Sequence, residues 1–491
     1  MPSRINIGPE NGPYVGINEE NGNLQLEDNS GNVVAEWDET NAQWDFANNT
    51  LNNVDSLNSN SVNTENSNSV RFVDDSMSVG QINDIISNAS AASTNGARIS
   101  VVFKSGQYGL TDRIQVSDNV ELISKGAHVF VEDAWPENTG MIEADSVSNF
   151  VIDGFDLDAD DPELDTRYCI QPDSGCEDFV ISRNRAKNAG DDNIAVENNS
   201  NRWAVVNNWI FDVKDDPEVD DSGLEIEVGA KNGVVAGNWI EAGSGADYGI
   251  LVKTREGLAG VENVQIVGNT IITENHRGLA VVTAPCKNVS IVGNSFVGNG
   301  TSRAITLSQD VENITVSANT IDNYNRGVRA ILGSSNITIS NNTFDNCERS
   351  IVTDDSVSDL IATGNLIRGG LIGILPEGEN ISVKSNHIYG IDSTGVLADG
   401  TSFVDITDNQ IYDCDSRGIR IQNGNDGYVA GNVVHTSPEG IELRNANSPP
   451  ENYVIIHNDL RDTTTPLQTS EGTGIITDPV NQDETDDYNL V

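Results

Sequence analysis

Basic residues are scarce in this chain, lysine above all: its 491 residues carry 27 Lys+Arg, only eight of them Lys, against 76 Asp+Glu. The formal charge of −49 is spread over every segment instead of being gathered in a tail. Nucleic acid is therefore excluded as a partner, because its phosphates are held by Lys and Arg. Cysteine is rare too. The five residues Cys169, Cys176, Cys286, Cys347 and Cys414 show no zinc or redox spacing and read as small interior or near-surface residues. No uninterrupted apolar run is long enough to cross a membrane, so no membrane insertion is expected. The N-terminus Met1-Pro-Ser-Arg-Ile-Asn lacks the apolar core of an export signal. A secreted enzyme would need such a signal, whereas a virion protein released by lysis would not.

What the chain does have is one short phrase repeated about a dozen times. Asn263-Val-Gln-Ile-Val-Gly-Asn269-Thr-Ile is one copy, and Asn288-Val-Ser-Ile-Val-Gly-Asn294-Ser-Phe is the next. The second Asn recurs at Asn184, Asn208, Asn238, Asn269, Asn294, Asn319, Asn342, Asn365, Asn386, Asn409, Asn432 and Asn458, at intervals of 21 to 31 residues. A period of this size signals stacked repeats. Within each period apolar and polar residues alternate in runs too short for helices, so each period holds two or three strands wound around an apolar interior. Stacked turns then pair their strands in parallel, which is a β-helix. The recurring Asn fits a corner that tolerates left-handed torsions, with its side chain bonding the same Asn one turn on. Ahead of the repeats, Val79, Ile82, Ile85, Ile86 and Ala89 have helical spacing, as expected of a helix that caps the open end of the solenoid.

The cap and the repeats that follow, roughly residues 70–465, resemble the pectin-lyase-like family of right-handed β-helices. The resemblance implies an all-β fold: a right-handed single-stranded parallel β-helix over 71–465 with an N-terminal capping helix, followed by an acidic tail over 466–491. That fold hosts lyases, hydrolases, adhesins and phage tailspikes, so it does not settle function. Residues 1–70 stand apart as a small N-terminal β anchoring region. Asn21–Leu26, Asn32–Trp37 and Gln43–Phe46 read as short strands, and Leu51, Val54, Leu57 and Val62 lie in a thin Ser/Asn-rich tract that would be stable if identical chains wrapped together. In layout this resembles the heads and necks of viral tail spikes and fibres, commonly trimers.

Two turns invite a closer comparison. Asn188-Ala-Gly-Asp191-Asp192-Asn-Ile and Tyr248-Gly-Ile-Leu-Val-Lys253-Thr resemble, in order, two motifs of polygalacturonases. The resemblance implies Asp191 and Asp192 as the acid/base pair of an inverting hydrolysis and Lys253 as a substrate contact. Aligning the turns puts Tyr168, Asp192, Ser222 and Tyr248 in one row. The family would have Asp in place of Tyr168 and His in place of Ser222, and its Arg falls on Leu251. Asp173, Glu197, Glu225 and Glu227 are expected near the same groove, with Asp216, Asp220 and Asp221 on a long loop. No cofactor is required by this pattern, although clustered acids can hold Ca2+ through oxygen ligands.

The row continues as Arg277, Arg303, Arg326 and Arg349, with Arg417 further on and Arg329, Arg420 and Arg444 nearby. Stacked like charges need acids between them, such as Asp322, Asp345, Asp413 or Asp415, or an anionic ligand. Arg would then grip the carboxylates or sulfates of acidic sugars. Tyr324, Tyr389, Tyr412 and Tyr428 are candidate stacking platforms for sugars.

A surface this acidic and poor in Lys suits molar salt, where screening removes self-repulsion. It points to a haloarchaeon or its virus as the source, with a calcium-loaded acidic secreted protein as the alternative. The reading that joins these features is a homotrimeric virion spike or fibre at the virion surface, in a high-salt extracellular environment. Residues 1–70 would anchor it to other virion structural proteins, and its β-helix would bind glycans or a glycoprotein of the host cell surface. An extracellular polysaccharide-degrading hydrolase or lyase and a cell-surface adhesin are the alternatives.

Overall fold

An alternation of period two buries every second side chain, and a turn of 21 to 31 residues has room for three such strands before the chain returns above its start. The computed structural model describes residues 70–477 apart from 133–134, 136–138, 161–165, 215–220, 244, 256 and 470, together with five strands earlier in the chain. It is a right-handed parallel β-solenoid of about 15 turns. Each full turn contributes one strand to each of three parallel sheets. Lys287–Val292, Ser295–Val297 and Arg303–Ser308, for example, lie in the first, second and third sheets and pair with Glu312–Ser317, Thr320–Asp322 and Arg326–Ala330 one turn on. The second and third sheets have 14 and 15 strands. The inward residues Val289, Ile291, Phe296, Ile305 and Leu307 are completely buried. Thr465–Gln468 and Ile476–Thr477 still pair onto the preceding turn.

The expected helix spans Val79–Ala92 and turns Val79, Ile82, Ile86 and Ala89 inward over the first turn. Ser78 caps it and Gln81 returns the bond, a reciprocal capping box. All five cysteines are free and buried. No described helix is long and apolar enough to cross a membrane.

The recurring Asn forms an unbroken internal ladder. Each Oδ1 accepts from both the backbone N–H and the Nδ2 of the Asn one turn earlier, over eleven consecutive steps from Asn184 to Asn458. The left-handed torsion belongs to the preceding residue instead: Asn207, Gly237, Gly268, Gly293 and Ala318 have φ of 57°, 65°, 64°, 65° and 54°. That explains why Gly, Asn or another small residue precedes most ladder Asn, with Arg183, Asp408 and His457 as the exceptions. A second left-handed column runs along the start of the first sheet through Asn263, Asn288, Asn313 and Asn336.

The chain divides into two compact units, Met1–Ser67 and Asn68–Val491. In the first, Ile5–Ile7, Val15–Glu20, Asn23–Glu27, Val33–Asp38 and Gln43–Asp45 form an antiparallel sheet in sequence order. The tract holding Leu51, Val54, Leu57 and Val62, where copies are expected to wrap, lies outside the described residues.

Candidate functional site

The third sheet carries the candidate site, in the row that the repeat register defines. Tyr168, Asp192, Ser222, Tyr248 and Arg277 are register partners on successive strands, as are Arg303, Arg326 and Arg349. Ile372 and Thr394 then precede Arg417. The row has an acidic half and a basic half.

In the acidic half the strands Asp192–Val196 and Ser222–Glu227 are buried along their whole length, not on alternate residues. Asp192 is 0 % exposed; its Oδ1 accepts from the Ser222 N–H at 2.9 Å and from the Ser222 hydroxyl. Asp191, 7 % exposed, accepts from the Tyr168 hydroxyl at 3.2 Å and pairs with Arg167 at 2.8 Å. Glu225 pairs with Lys253 at 2.7 Å and Glu227 with Arg255 at 2.6 Å. Glu197 accepts from Gln171 at 2.7 Å. Asp173, at the end of its strand, accepts from Asn198 at 2.6 Å. Of the long loop, Asp216 and Asp220 lie outside the described residues, while Asp221 is buried. Sequence reasoning missed Arg167, Gln171 and Arg255, whose signal was only their position on the row's own strands or just beyond them, Arg167 one residue before Tyr168, Gln171 three after it and Arg255 two after Lys253.

Five buried carboxyls (Asp191, Asp192, Glu197, Glu225, Glu227) thus face three cations (Arg167, Lys253, Arg255). Burial, reinforced by Glu225 and Asp191, holds Asp192 well above the carboxylate range. Burial likewise raises Asp191 and Glu225, and lifts Glu197 to about 7. Burial works against the charge on Lys253, but Glu225, Asp192 and Glu227 outweigh it and hold its pKa above the usual value.

This arrangement has a pH consequence. Glu197 binds its proton more tightly folded (about 7) than unfolded (about 4.5), so its contribution to stability is complete below about 4.5 and is lost as pH rises through 7. The contribution is on the order of 3 kcal/mol at most. Glu197→Gln is therefore expected to flatten the fall in unfolding free energy between pH 5 and 8, measured by denaturant titration at each pH. Surface carboxylates titrate below that window, so an unchanged slope would contradict the assignment.

Carboxylate oxygens of Glu197, Glu225 and Glu227 lie within 4.8 Å of one another, the only such three-ligand group among the described residues. Hard oxygens of this kind suit a proton or a hard cation such as Ca2+. They do not suit copper, which prefers imidazole and sulfur donors.

In the basic half the arginines divide. Arg417 pairs with Glu439 at 2.8 Å and also with Glu442, which lies 3.3 Å from Arg420. These glutamates, not Asp413 or Asp415, neutralise that end, while Asp345 serves Arg368 on the second sheet. Arg349 reaches Glu348 only at 4.0 Å. Arg326 donates to Asn325 at 2.7 Å, and the Arg277 guanidinium lies 4.8 Å over the Tyr248 ring. Arg303 has no carboxylate in contact among the described residues. Burial, with Arg329, Arg277 and Arg326 beside it, pushes it down to about 10. Arg329 is lowered for the same reasons. Arg277 and Arg303 separate two cavities. The larger, about 480 Å3, is lined by Tyr248, Lys253, Arg255 and Thr306, and the smaller, about 250 Å3, reaches Arg326. The expected stacking platforms lie elsewhere. Tyr324 is buried with its hydroxyl 3.0 Å from that of Thr273, because its position turns inward. Tyr389 lies tilted against His387 and Tyr412 edge-on to His435 on the second sheet, and Tyr428 is on the first. Tyr248 is the aromatic residue of the groove.

Comparison with known proteins agrees with this architecture. A family model described as right handed beta helix region matches residues 312–460, and one described as periplasmic copper-binding protein (NosD) matches 167–346. No curated protein matches significantly in sequence. Among solved structures, the catalytic unit of an α-1,3-glucanase from Streptomyces thermodiastaticus is 13 % identical, covering 82 % of this chain and 65 % of that one, with a TM-score of 0.45. The surface adhesin PfbA of Streptococcus pneumoniae is 15 % identical over 72 % and 89 %, TM-score 0.44. A tailspike of an Acinetobacter baumannii bacteriophage, a capsular polysaccharide depolymerase, is 8 % identical over 60 % and 57 %, TM-score 0.45. With its continuous ladder, three parallel sheets and helical cap, the chain is a right-handed parallel β-helix.

Proposed function

We propose that the protein is a glycan-binding surface protein whose third sheet holds an acidic glycan, displayed outside the cell as a spike or fibre of a virion. The observation that carries this reading is the Arg277–Arg303–Arg326–Arg329 cluster. In a chain of charge −49 with 76 acids available, Arg303 has no carboxylate in contact among the described residues and Arg329 shares the like-charge environment. Like charges that depress one another cost stability, and they are offset when an anion arrives. Arg grips carboxylates or sulfates bidentately, and the cavities on either side leave room for the sugar rings. The target would be the glycans or glycoprotein of a haloarchaeal cell surface, the acidic exterior keeping the protein dispersed in molar salt. Residues 1–70 would anchor a homotrimer to other virion proteins.

Calorimetric titration in molar KCl with acidic polysaccharides (polygalacturonate, heparin) and neutral dextran tests the reading. Binding of an acidic polymer without binding of dextran is expected, and equal binding of both would sink it. A second reading, hydrolysis or lysis of the bound glycan, is favoured by the raised proton affinity of Glu197, Asp192 and Glu225. New reducing ends or unsaturated products that disappear in Asp191→Asn and Asp192→Asn would establish it. In that event Ca2+ at Glu197, Glu225 and Glu227 would be the group to test next.

A further inference from the structure

At the start of the first sheet the left-handed column reads Asn336, Asp359, Asn380, Phe403, Asp426, Asn452, with φ between 53° and 58° throughout. Five of these six are Asn or Asp, whose short polar side chains tolerate that conformation; a bulky aromatic there is strained. Phe403 nevertheless has φ 58° and is 55 % exposed, so its ring gains little from packing. Strain of this kind collects at binding sites, where the surroundings hold a residue in place for what it contacts.

Beside the ring lies a groove of about 520 Å3 on the outer face of the first sheet, a volume in the range of small-ligand sites. Ile361, 44 % exposed, forms its other apolar wall. Asn380 and Ser382 contribute polar groups to the lining, and Lys384 pairs with Asp405 at 2.6 Å, both side chains partly exposed. Donors and acceptors of both signs are thus set beside an open aromatic ring; the one ion pair neutralises itself, and Asp359, which accepts from Asn380 at 3.1 Å, adds a carboxylate to the lining that would repel an anion.

We infer that this groove is a second sugar site, selective for an uncharged hexose unit: the C–H face of the ring rests on Phe403 and the hydroxyls bond Asn380, Ser382 and the Lys384–Asp405 pair. It lies on a different sheet from the arginine cluster and has the opposite preference, since nothing in it compensates an anion's charge. A glycan carrying both acidic and neutral units would engage both sites.

The test is Phe403→Asn, which restores the residue type of the neighbouring rows. Unfolding midpoints and calorimetric titrations with maltoheptaose, laminarihexaose, cellohexaose and galactomannan oligosaccharides are compared for the wild type, this variant and Arg303→Ala. Expected are binding of at least one neutral oligosaccharide by the wild type, a loss of at least tenfold in Phe403→Asn with an equal or higher midpoint, and no loss in Arg303→Ala. The inference is overturned if no oligosaccharide binds the wild type, if Phe403→Asn binds equally well, or if its midpoint falls, which would make the ring a packing element. Loss in Arg303→Ala would overturn it too, by moving the sugar to the third sheet. Failure of acidic glycans to bind leaves these outcomes unaffected, so the two sites stand or fall separately.

Discussion

Replacing Arg303 and Arg326 together with alanine is expected to weaken binding of an acidic polysaccharide at least a hundredfold without lowering the unfolding midpoint. Each hydrogen bond to a charged group contributes about 1.5–3 kcal/mol, and every 1.4 kcal/mol is about tenfold in affinity. On the stability side, Arg303 sits among Arg329, Arg277 and Arg326, which already work against its charge. Removing two of the four relieves that repulsion. Arg417→Ala should do the reverse. Its guanidinium bridges Glu439 and Glu442, so its loss leaves the Glu442 carboxylate, 6 % exposed, with Arg420 at 3.3 Å as its remaining cation and lowers the midpoint while binding is kept. Calorimetric titration and thermal melts on both variants check the pair of outcomes. A double variant that binds as tightly as the wild type would remove the arginine cluster from any account of function.

The second large effect concerns the ladder. Asn319 is 1 % exposed and makes four hydrogen bonds: its Oδ1 accepts from the Asn294 N–H at 2.8 Å and Nδ2 at 3.0 Å, and its Nδ2 donates to the Ile291 carbonyl and the Asn342 Oδ1, each at 2.9 Å. Asn319→Leu keeps the branching of the side chain but takes the partner from the Asn294 N–H and from the Ile291 carbonyl, while the Asn294 Nδ2 keeps the Ile266 carbonyl and the Asn342 Oδ1 keeps the Asn319 N–H. At about 1–3 kcal/mol for each stranded group, with partial relaxation, a loss of about 4 kcal/mol is expected. Asn263→Gly is the matched control. That residue is exposed and left-handed at φ 58°, a conformation that glycine adopts freely, so a change within about 0.5 kcal/mol is expected. Denaturant unfolding of the two variants side by side distinguishes ladder from corner; similar losses would mean that the hydrogen bonds of the ladder do not matter.

The repeat made the fold legible because one position, the ladder Asn, is constrained by its own copies above and below. It also served as a ruler: Tyr168, Asp192, Ser222, Tyr248 and the arginines could be set in one row from spacing alone, and the strands pair in that register. Burial was not legible. Alternation predicts that one face of each strand is open, yet Asp192–Val196 and Ser222–Glu227 are closed on both faces, so Asp191 and Asp192 are locked among Ser222, Tyr168 and Arg167. Nor could spacing show that Arg417 has acid partners and Arg303 has none, since the glutamates that decide it come from the following turn. Tyr324 failed as a platform because a corner residue turns inward or outward according to backbone torsions that its neighbours do not encode.

The spacing of the ladder has an evolutionary reading. Its two longest intervals, 30 residues from Asn208 to Asn238 and 31 from Asn238 to Asn269, hold the extra residues between strands: 212–221 before Ser222–Glu227, and 254–261 after Tyr248–Lys253. Both insertions flank the third sheet at its acidic turns, yet the Asn-to-Asn contacts across them stay at 2.9–3.0 Å. Loop length costs little free energy. The ladder therefore lets the site-bearing loops lengthen, shorten and diverge in one turn without disturbing the step of the next. Such a solenoid can vary its loops one turn at a time while the stacking of the other turns is kept.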